Sequence, residues 1–220
     1  MDWKNFIPMD WRYRVMELRG RGLYNGYPDR HQCVFIHVPK TAGTSVVKAL
    51  FGVDSRHVPC VEYEKANPRK FAQYFKFAFV RNPWSRLYSA YTFLKRGGIN
   101  EVDQAWAVSN LAGIDSFEQF VLEWLNAETM TSWIHFMPQH HFITDSSGKV
   151  ALDFIGRMEN IDADFDHICQ RLGIAATLSA LNKSTQPPYI QAYTSAMRDK
   201  VGELYKQDAV LFGYDFGGAQ

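Results

Sequence analysis

Two apolar runs frame the chain. The first, CVFIHV at 33–38, stops at Pro39 and gives way to small and hydroxylated residues, then to TSVVKALF, whose apolar positions recur at helical spacing. The second, KFAFV at 76–80, runs into RNPWSRLYSAYTFLKRGG, where Trp84, Leu87, Tyr91 and Leu94 fall three and four apart on one helical face. Short, continuously apolar runs followed by amphipathic helices describe parallel strands buried on both faces. The pattern predicts strands at 33–38, 55–58, 76–80 and 150–157. It predicts helices at 44–51, 64–75 with Pro68 as a weak point, 83–96, 116–125 behind a Ser116-x-x-Gln119 capping box, 161–172 and 195–212. Strands alternating with helices give the expected class: α/β, a central parallel β-sheet flanked by helices on both faces.

Composition narrows this frame. At 220 residues the chain is read as one domain, 1–220, with 1–31 as an aromatic and basic lead-in arm. A net charge of +1 favours neither nucleic acid nor an anionic membrane, so any anion site must be local. Cys33, Cys60 and Cys169 have no metal-ligand spacing and an odd count, which speaks against a disulfide framework and for a reducing, cytoplasmic location. No run of 18 apolar residues suggests a membrane span, and Asp2, Lys4 and Asp10 do not suit a secretory signal.

The chemistry concentrates in the two turns that follow the apolar runs. Lys40-Thr41-Ala42-Gly43-Thr44-Ser45 lies between a strand and a helix. There free amides and the helix dipole attract an anion, small residues admit it, and a lysine adds a point charge. The plain alternative is a tight turn with a surface lysine. The turn is P-loop-like but is not a nucleoside triphosphatase loop: Lys40 comes first, directly after Pro39, and the leading glycine is absent. In the second turn Arg81 precedes a helix that Asn82 can cap and Pro83 starts. Ser85, Ser89, Thr92 and Arg96 form its polar face, so Arg81 and Ser89 can clamp an anion, or Arg81 pairs a carboxylate and Ser89 is plain surface. Asp162, Asp164 and Asp166 imitate the start of a calcium loop but lack its Gly and Glu, so they read as an acidic first helical turn.

Taken together, P-K-T-A-G-T-S and R-x-P-x-x-R-x-x-S-x-Y resemble the sulfotransferases that use 3′-phosphoadenosine 5′-phosphosulfate (PAPS), in the carbohydrate branch that includes the uronyl 2-O-sulfotransferases. The resemblance continues in DFIGRMENIDADFDHICQRLGI, LNKS and YKQDAVLFGYDF, covering most of 33–216. It implies that PAPS is the co-substrate, with Lys40, Thr41, Ala42, Gly43, Thr44 and Ser45 on the 5′-phosphosulfate. Arg81 and Ser89 would hold the 3′-phosphate, and Lys183 and Ser184 would close over the nucleotide. Lys40 would stabilise charge on the bridging oxygen as it leaves. The transferred sulfuryl group carries less charge than a phosphoryl group, and no metal is expected.

A hydroxyl acceptor calls for a general base. The related 2-O-sulfotransferases place a histidine pair in the interval holding His57; here Arg56-His57 stands without that pair. His57, at the end of the expected 55–58 strand, ranks first, followed by His140 and then His141. His37 reads as a satisfied core residue. His135, His140 and His141 together suggest zinc, but Pro138 breaks any shared helical face, so zinc is not expected. The segment 98–142, with Trp106, Trp124 and Trp133, is expected to be helical and to face the acceptor, although core packing explains each tryptophan equally well. The expected acceptor is a glycan or a glycosylated small molecule; nothing fixes the oligomeric state. Two other classes remain open on these residues, a small-molecule kinase with an atypical loop and a non-catalytic nucleotide-binding module.

Overall fold

In a computed structural model the described residues are 9–178 and 188–219. In chain order they form α1 (Met9–Leu18), α2 (Tyr27–His31), β1 (Cys33–Ile36), α3 (Gly43–Phe51), α4 (Cys60–Ala66), α5 (Pro68–Gln73), β2 (Phe75–Val80), α6 (Pro83–Lys95), α7 (Glu101–Asn110) and α8 (Phe117–Gln119). Then follow α9 (His140–Ile143), β3 (Phe154–Arg157), α10 (Ile161–Leu172), α11 (Ser195–Leu204), α12 (Lys206–Phe212), β4 (Tyr214–Asp215) and β5 (Gly218–Ala219). They group into two compact units. One takes the chain up to Val80 together with 139–178; the other takes Arg81–Pro138 together with 188–219. Among the described residues no helix is long and apolar enough to cross a membrane.

The first unit is built on a parallel sheet of order β1-β2-β3, with Cys33 opposite Phe75, Ile36 opposite Ala78 and Val80 opposite Arg157. Alternation sends Cys33, Phe35, Phe77 and Phe79 to one face, where Val46, Val47 and Leu50 of α3 and Phe165 and Ile168 of α10 cover them. Val34, Ile36, Ala78 and Val80 point the other way and are equally buried, as the unbroken apolar runs require. Gly156 on β3 accommodates the Phe79 ring beside it: a Cβ there would lie 2.6 Å from Phe79 Cε1. The α/β class and the flanking helices are as expected. So are α10 at its full length and the buried stripe Trp84, Leu87, Tyr91 and Leu94 on α6.

Several boundaries differ, each for a local reason. The strand expected at 55–58 does not form. The main chain that could pair with it is already engaged: Val38 N–H turns back to the Ile36 carbonyl, and the His37 carbonyl accepts from the His57 ring. The helix expected at 64–75 is two helices, because Asn67 ends α4 in extended backbone and caps α5 by accepting from the Lys70 amide. The strand expected from Val150 begins at Phe154, after Asp145 closes a turn on the Ser147 and Lys149 amides and Asp153 accepts from the Lys76 amide. Ser116 does accept from the Gln119 amide, but Gln119 returns to Asp115, and the helix runs on as a π-turn over Phe120–Trp124. The expected 195–212 helix breaks at Tyr205 into α11 and α12.

All three cysteines are free and buried, and burial pushes the Cys33 and Cys60 thiols up to about 12. Neither is a nucleophile near neutral pH.

The second unit is organised around Arg86, which is 1% exposed. Its guanidinium donates to the carbonyls of His135, Phe136 and Met137 and lies over the Tyr205 ring at 5.9 Å from the centroid. The Tyr205 hydroxyl donates to the Phe136 carbonyl at 2.6 Å. Burial lowers the guanidinium pKa from its ordinary value, while Tyr205 and the fully buried Asp208 oppose that shift. Buried charge is tolerated only where donors are met, so this one side chain fixes the 135–137 segment against α6 and the α11–α12 junction. Replacing it strands those carbonyls and removes positive charge from beside Asp208. Arg86→Met is therefore expected to lower unfolding free energy by about 3–5 kcal/mol in urea denaturation; a loss below about 1 kcal/mol, the range of an exposed pair, would contradict this reading.

Candidate active site

The turn after β1 is held from within. Thr41 is fully buried and its hydroxyl donates to the Val38 carbonyl at 2.9 Å. Its side chain therefore shapes the turn and does not face outward. On either side of it, Lys40 (φ 69°) and Ala42 (φ 63°) occupy left-handed backbone. Each costs a residue with a Cβ on the order of 1 kcal/mol or more, and such residues persist where their surroundings dictate them. Left-handed residues in a tight turn direct successive amides into one concavity, the main-chain arrangement that receives anions.

Gly43 opens α3 and has ordinary backbone; it is needed for space. A Cβ there would lie 2.1 Å from His37 Cδ2 and 2.5 Å from Nε2. α3 begins on Ala42, which has no side-chain acceptor, and the Ser45 and Val46 amides both return to the Ala42 carbonyl. The Gly43 and Thr44 amides belong to the first turn, outside the intrahelical ladder. Lys40, Ala42 and Ser45 are half-buried, and Thr44 is exposed.

His37 sits one residue past β1, buried at 5% exposure. Its Nδ1 is 2.6 Å from Ser55 Oγ, which satisfies the ring as the sequence suggested. It also does something the sequence did not suggest. Its carbonyl oxygen lies 2.8 Å from His57 Nδ1, and the two rings pack at 4.1 Å. His57 thus reaches the end of β1 by a side-chain hydrogen bond and not, as expected, on a strand of its own. A carbonyl can only accept, so His57 Nδ1 carries the proton and Nε2 is the basic nitrogen of the neutral ring.

In the second unit Asn82 caps α6, accepting from the Trp84 and Ser85 amides, while its Nδ2 donates to the Asp215 carbonyl at 2.7 Å. Arg81 Nε donates to Ser85 Oγ at 2.9 Å. Ser85 and Ser89, four residues apart, share one side of α6, and Arg81, which precedes the helix, meets that side through its bond to Ser85. Ser89 is half-buried. The Thr92 hydroxyl on the same expected polar face is engaged with the Tyr88 and Ser89 carbonyls.

The remaining candidates separate. His140 opens α9 with its ring 4.5 Å from that of His141. His135 belongs to the second unit, where its Nε2 meets the buried Asp103 carboxylate at 3.2 Å. Among the described residues no three His, Cys, Asp or Glu side chains assemble as a metal site. Lys183 and Ser184 lie outside the described residues. In the second unit Trp106 stacks on Trp133 at 5.0 Å and meets Trp124 edge-on at 6.0 Å, each packed against the core and half-buried. Sequence reasoning missed Ser55, the second role of His37 and the burial of Arg86. The glycine at 43, read in the sequence as room for an anion, is where the structure presses the His37 ring against the turn.

Comparison with known proteins bears on the same residues. The chain is 31% identical over 170 residues to carbohydrate sulfotransferase 14 of Homo sapiens, covering 64% of this chain and 44% of that protein. It is 29% identical over 116 residues to an uncharacterized protein of Archaeoglobus fulgidus, covering 52% and 80%. With carbohydrate sulfotransferase 14 of Danio rerio it shares 24% over 225 residues, covering 84% and 60%. The chain thus spans about half the length of the carbohydrate sulfotransferases it matches. No solved structure matches it. Residues 27–215, which contain both turns, match the sulfotransferase family, and the chain belongs to that family.

Proposed function

We propose that the chain is a PAPS-dependent sulfotransferase that moves a sulfuryl group to a hydroxyl of a carbohydrate, a glycan or a glycosylated small molecule. The observation that carries this reading is the turn Lys40–Ala42. Two non-glycine residues in left-handed backbone lead into a helix whose N-cap offers no side-chain acceptor, as an anion-receiving turn requires. Family membership over 27–215 supports sulfuryl transfer over the kinase and non-catalytic alternatives. The names of the human and zebrafish relatives support a carbohydrate acceptor.

In this reading Lys40, Thr41, Ala42, Gly43, Thr44 and Ser45 take the 5′-phosphosulfate, through main-chain amides up to Thr44 and through the Thr44 and Ser45 hydroxyls. The Lys40 ammonium meets the charge that grows on the bridging oxygen as the S–O bond breaks. Arg81, steadied by Ser85, and Ser89 take the 3′-phosphate, and Lys183 and Ser184 close over the nucleotide. His57 Nε2 accepts the acceptor's hydroxyl proton, with His140 as the rival base. The segment 98–142 receives the acceptor. The proposal assigns no metal, because Lys40 and main-chain amides supply the charge that a sulfuryl group needs. The free, buried thiols support a reducing compartment such as the cytoplasm.

The direct test is incubation with labelled PAPS and a panel of glycans, small alcohols and phenols, read by mass spectrometry; label on no acceptor counts against the activity. Two variants test the roles. Lys40→Ala should lower kcat on the order of a hundredfold, with a smaller effect on product-nucleotide affinity. An unchanged kcat with a raised KM would make Lys40 a binding residue only. In calorimetry, adenosine 3′,5′-bisphosphate should bind more tightly than 5′-AMP by on the order of 2–3 kcal/mol, and Arg81→Ala should erase most of that difference. Equal affinities for the two nucleotides would remove Arg81 and Ser89 from the 3′-phosphate.

A further inference from the structure

We propose that Ser55 and His37 are positioning residues for the base: they hold His57 in the single neutral form that can accept a proton from the acceptor. The inference rests on the reading of His57 as general base and extends it to residues that no motif marks.

Four contacts carry it. The His37 carbonyl, 2.8 Å from His57 Nδ1, admits only a protonated nitrogen there. The basic lone pair of neutral His57 is therefore on Nε2, at the opposite corner of the ring. His37 itself is held at both edges of its imidazole. Ser55 Oγ engages Nδ1 at 2.6 Å, and Gly43 of the anion-receiving turn abuts Cδ2 and Nε2 so closely that no Cβ fits. A ring clamped in this way cannot turn about its χ2 without losing the Ser55 hydrogen bond or striking α3. The His57 ring then packs on this fixed surface at 4.1 Å.

One buried histidine thus joins the turn proposed to hold the donor to the residue proposed to activate the acceptor. In the transfer step, the acceptor oxygen forms its bond to sulfur while its proton passes to His57 Nε2. The bridging S–O bond breaks, and its electron pair stays on the 5′-phosphate oxygen. Nδ1–H of the resulting imidazolium still donates to the His37 carbonyl, so neither proton has to move within the ring. In the other neutral form Nε2 would carry the hydrogen and could not act as base, and Nδ1 would face a carbonyl with no proton between them.

The test begins with the full chain carrying ¹⁵N-labelled histidine. Long-range ¹H–¹⁵N correlation spectra, assigned by comparison with His57→Gln, should show His57 above its titration as the Nδ1–H form. A dominant Nε2–H form would overturn the proposal without reference to activity. Ser55→Ala should make His57 a mixture of the two forms. With labelled PAPS and a desulfated hexuronic-acid polysaccharide as acceptor, it should lower kcat roughly 10–100-fold, by analogy with the loss when a partner that orients a metal-ligating histidine is removed. Affinity for adenosine 3′,5′-bisphosphate should stay within about twofold, a split that general loss of structure would not produce. Ser55→Thr, which keeps the hydroxyl, should restore both kcat and the single form. Wild-type kcat and an unchanged spectrum in Ser55→Ala would overturn the positioning role. Full kcat in His57→Gln would instead overturn the base reading, a failure that the spectra tell apart from the first.

Discussion

The candidate site depends on where one imidazole is placed, and the sheet places it. Along β1, side chains alternate, so Cys33, Phe35 and then His37 project to the face that α3 and α10 cover; the Phe35 and His37 rings lie 5.7 Å apart and nearly parallel. The last of the three falls under the first turn of α3. That position explains the glycine at 43, since the space a Cβ would take belongs to the ring. It also explains why His57 is at the end of β1 with no strand to carry it there. Parallel pairing of β1 with β2 runs to Ile36 and sets the place of His37, the next residue, and both the turn proposed to receive an anion and the proposed base are built against it.

Capping separates the two turns that the motifs single out. α6 is capped by Asn82, whose side chain takes two amides and ties the helix start to the C-terminal hairpin. Asn67, Asn100, Ser116 and Thr194 cap their own helices in the same way. At α3 the N-cap is alanine in left-handed backbone, and the turn is shaped by a buried threonine working from inside. A capped start has its first amides taken by a side chain, whereas one without a side-chain cap leaves its first amides to the main chain. The turn after β1 therefore presents main-chain amides, whereas the start of α6 presents side chains.

Arg86 shows that a motif residue can serve the fold alone. It lies between Arg81 and Ser89 in the chain, yet its guanidinium is spent on three consecutive carbonyls and the Tyr205 ring. Those bonds set the path of 135–137, and the same segment carries His135 into its pairing with Asp103. The histidine that looked like a third member of a cluster with His140 and His141 is thereby occupied by a structural partner.

What the sequence determined by itself was whatever is encoded within a few residues. Continuous apolar runs marked β1 and β2, spacings of three and four marked the buried face of α6, and caps marked helix starts at Asn82 and Ser116. The two turns proposed to bind anions stood out because a basic residue and a helix start are neighbours in the chain. The tertiary structure alone decided the rest, because the deciding partners lie far apart in sequence: 18 residues between Ser55 and His37, 20 between His57 and the carbonyl it faces, and 49 to 51 between Arg86 and the carbonyls it binds. Periodicity cannot see such pairs. A histidine in an apolar run, a serine in an irregular segment and an arginine on an amphipathic helix have no local signature of their roles, which arise only when folding removes water and leaves each polar group one partner to find.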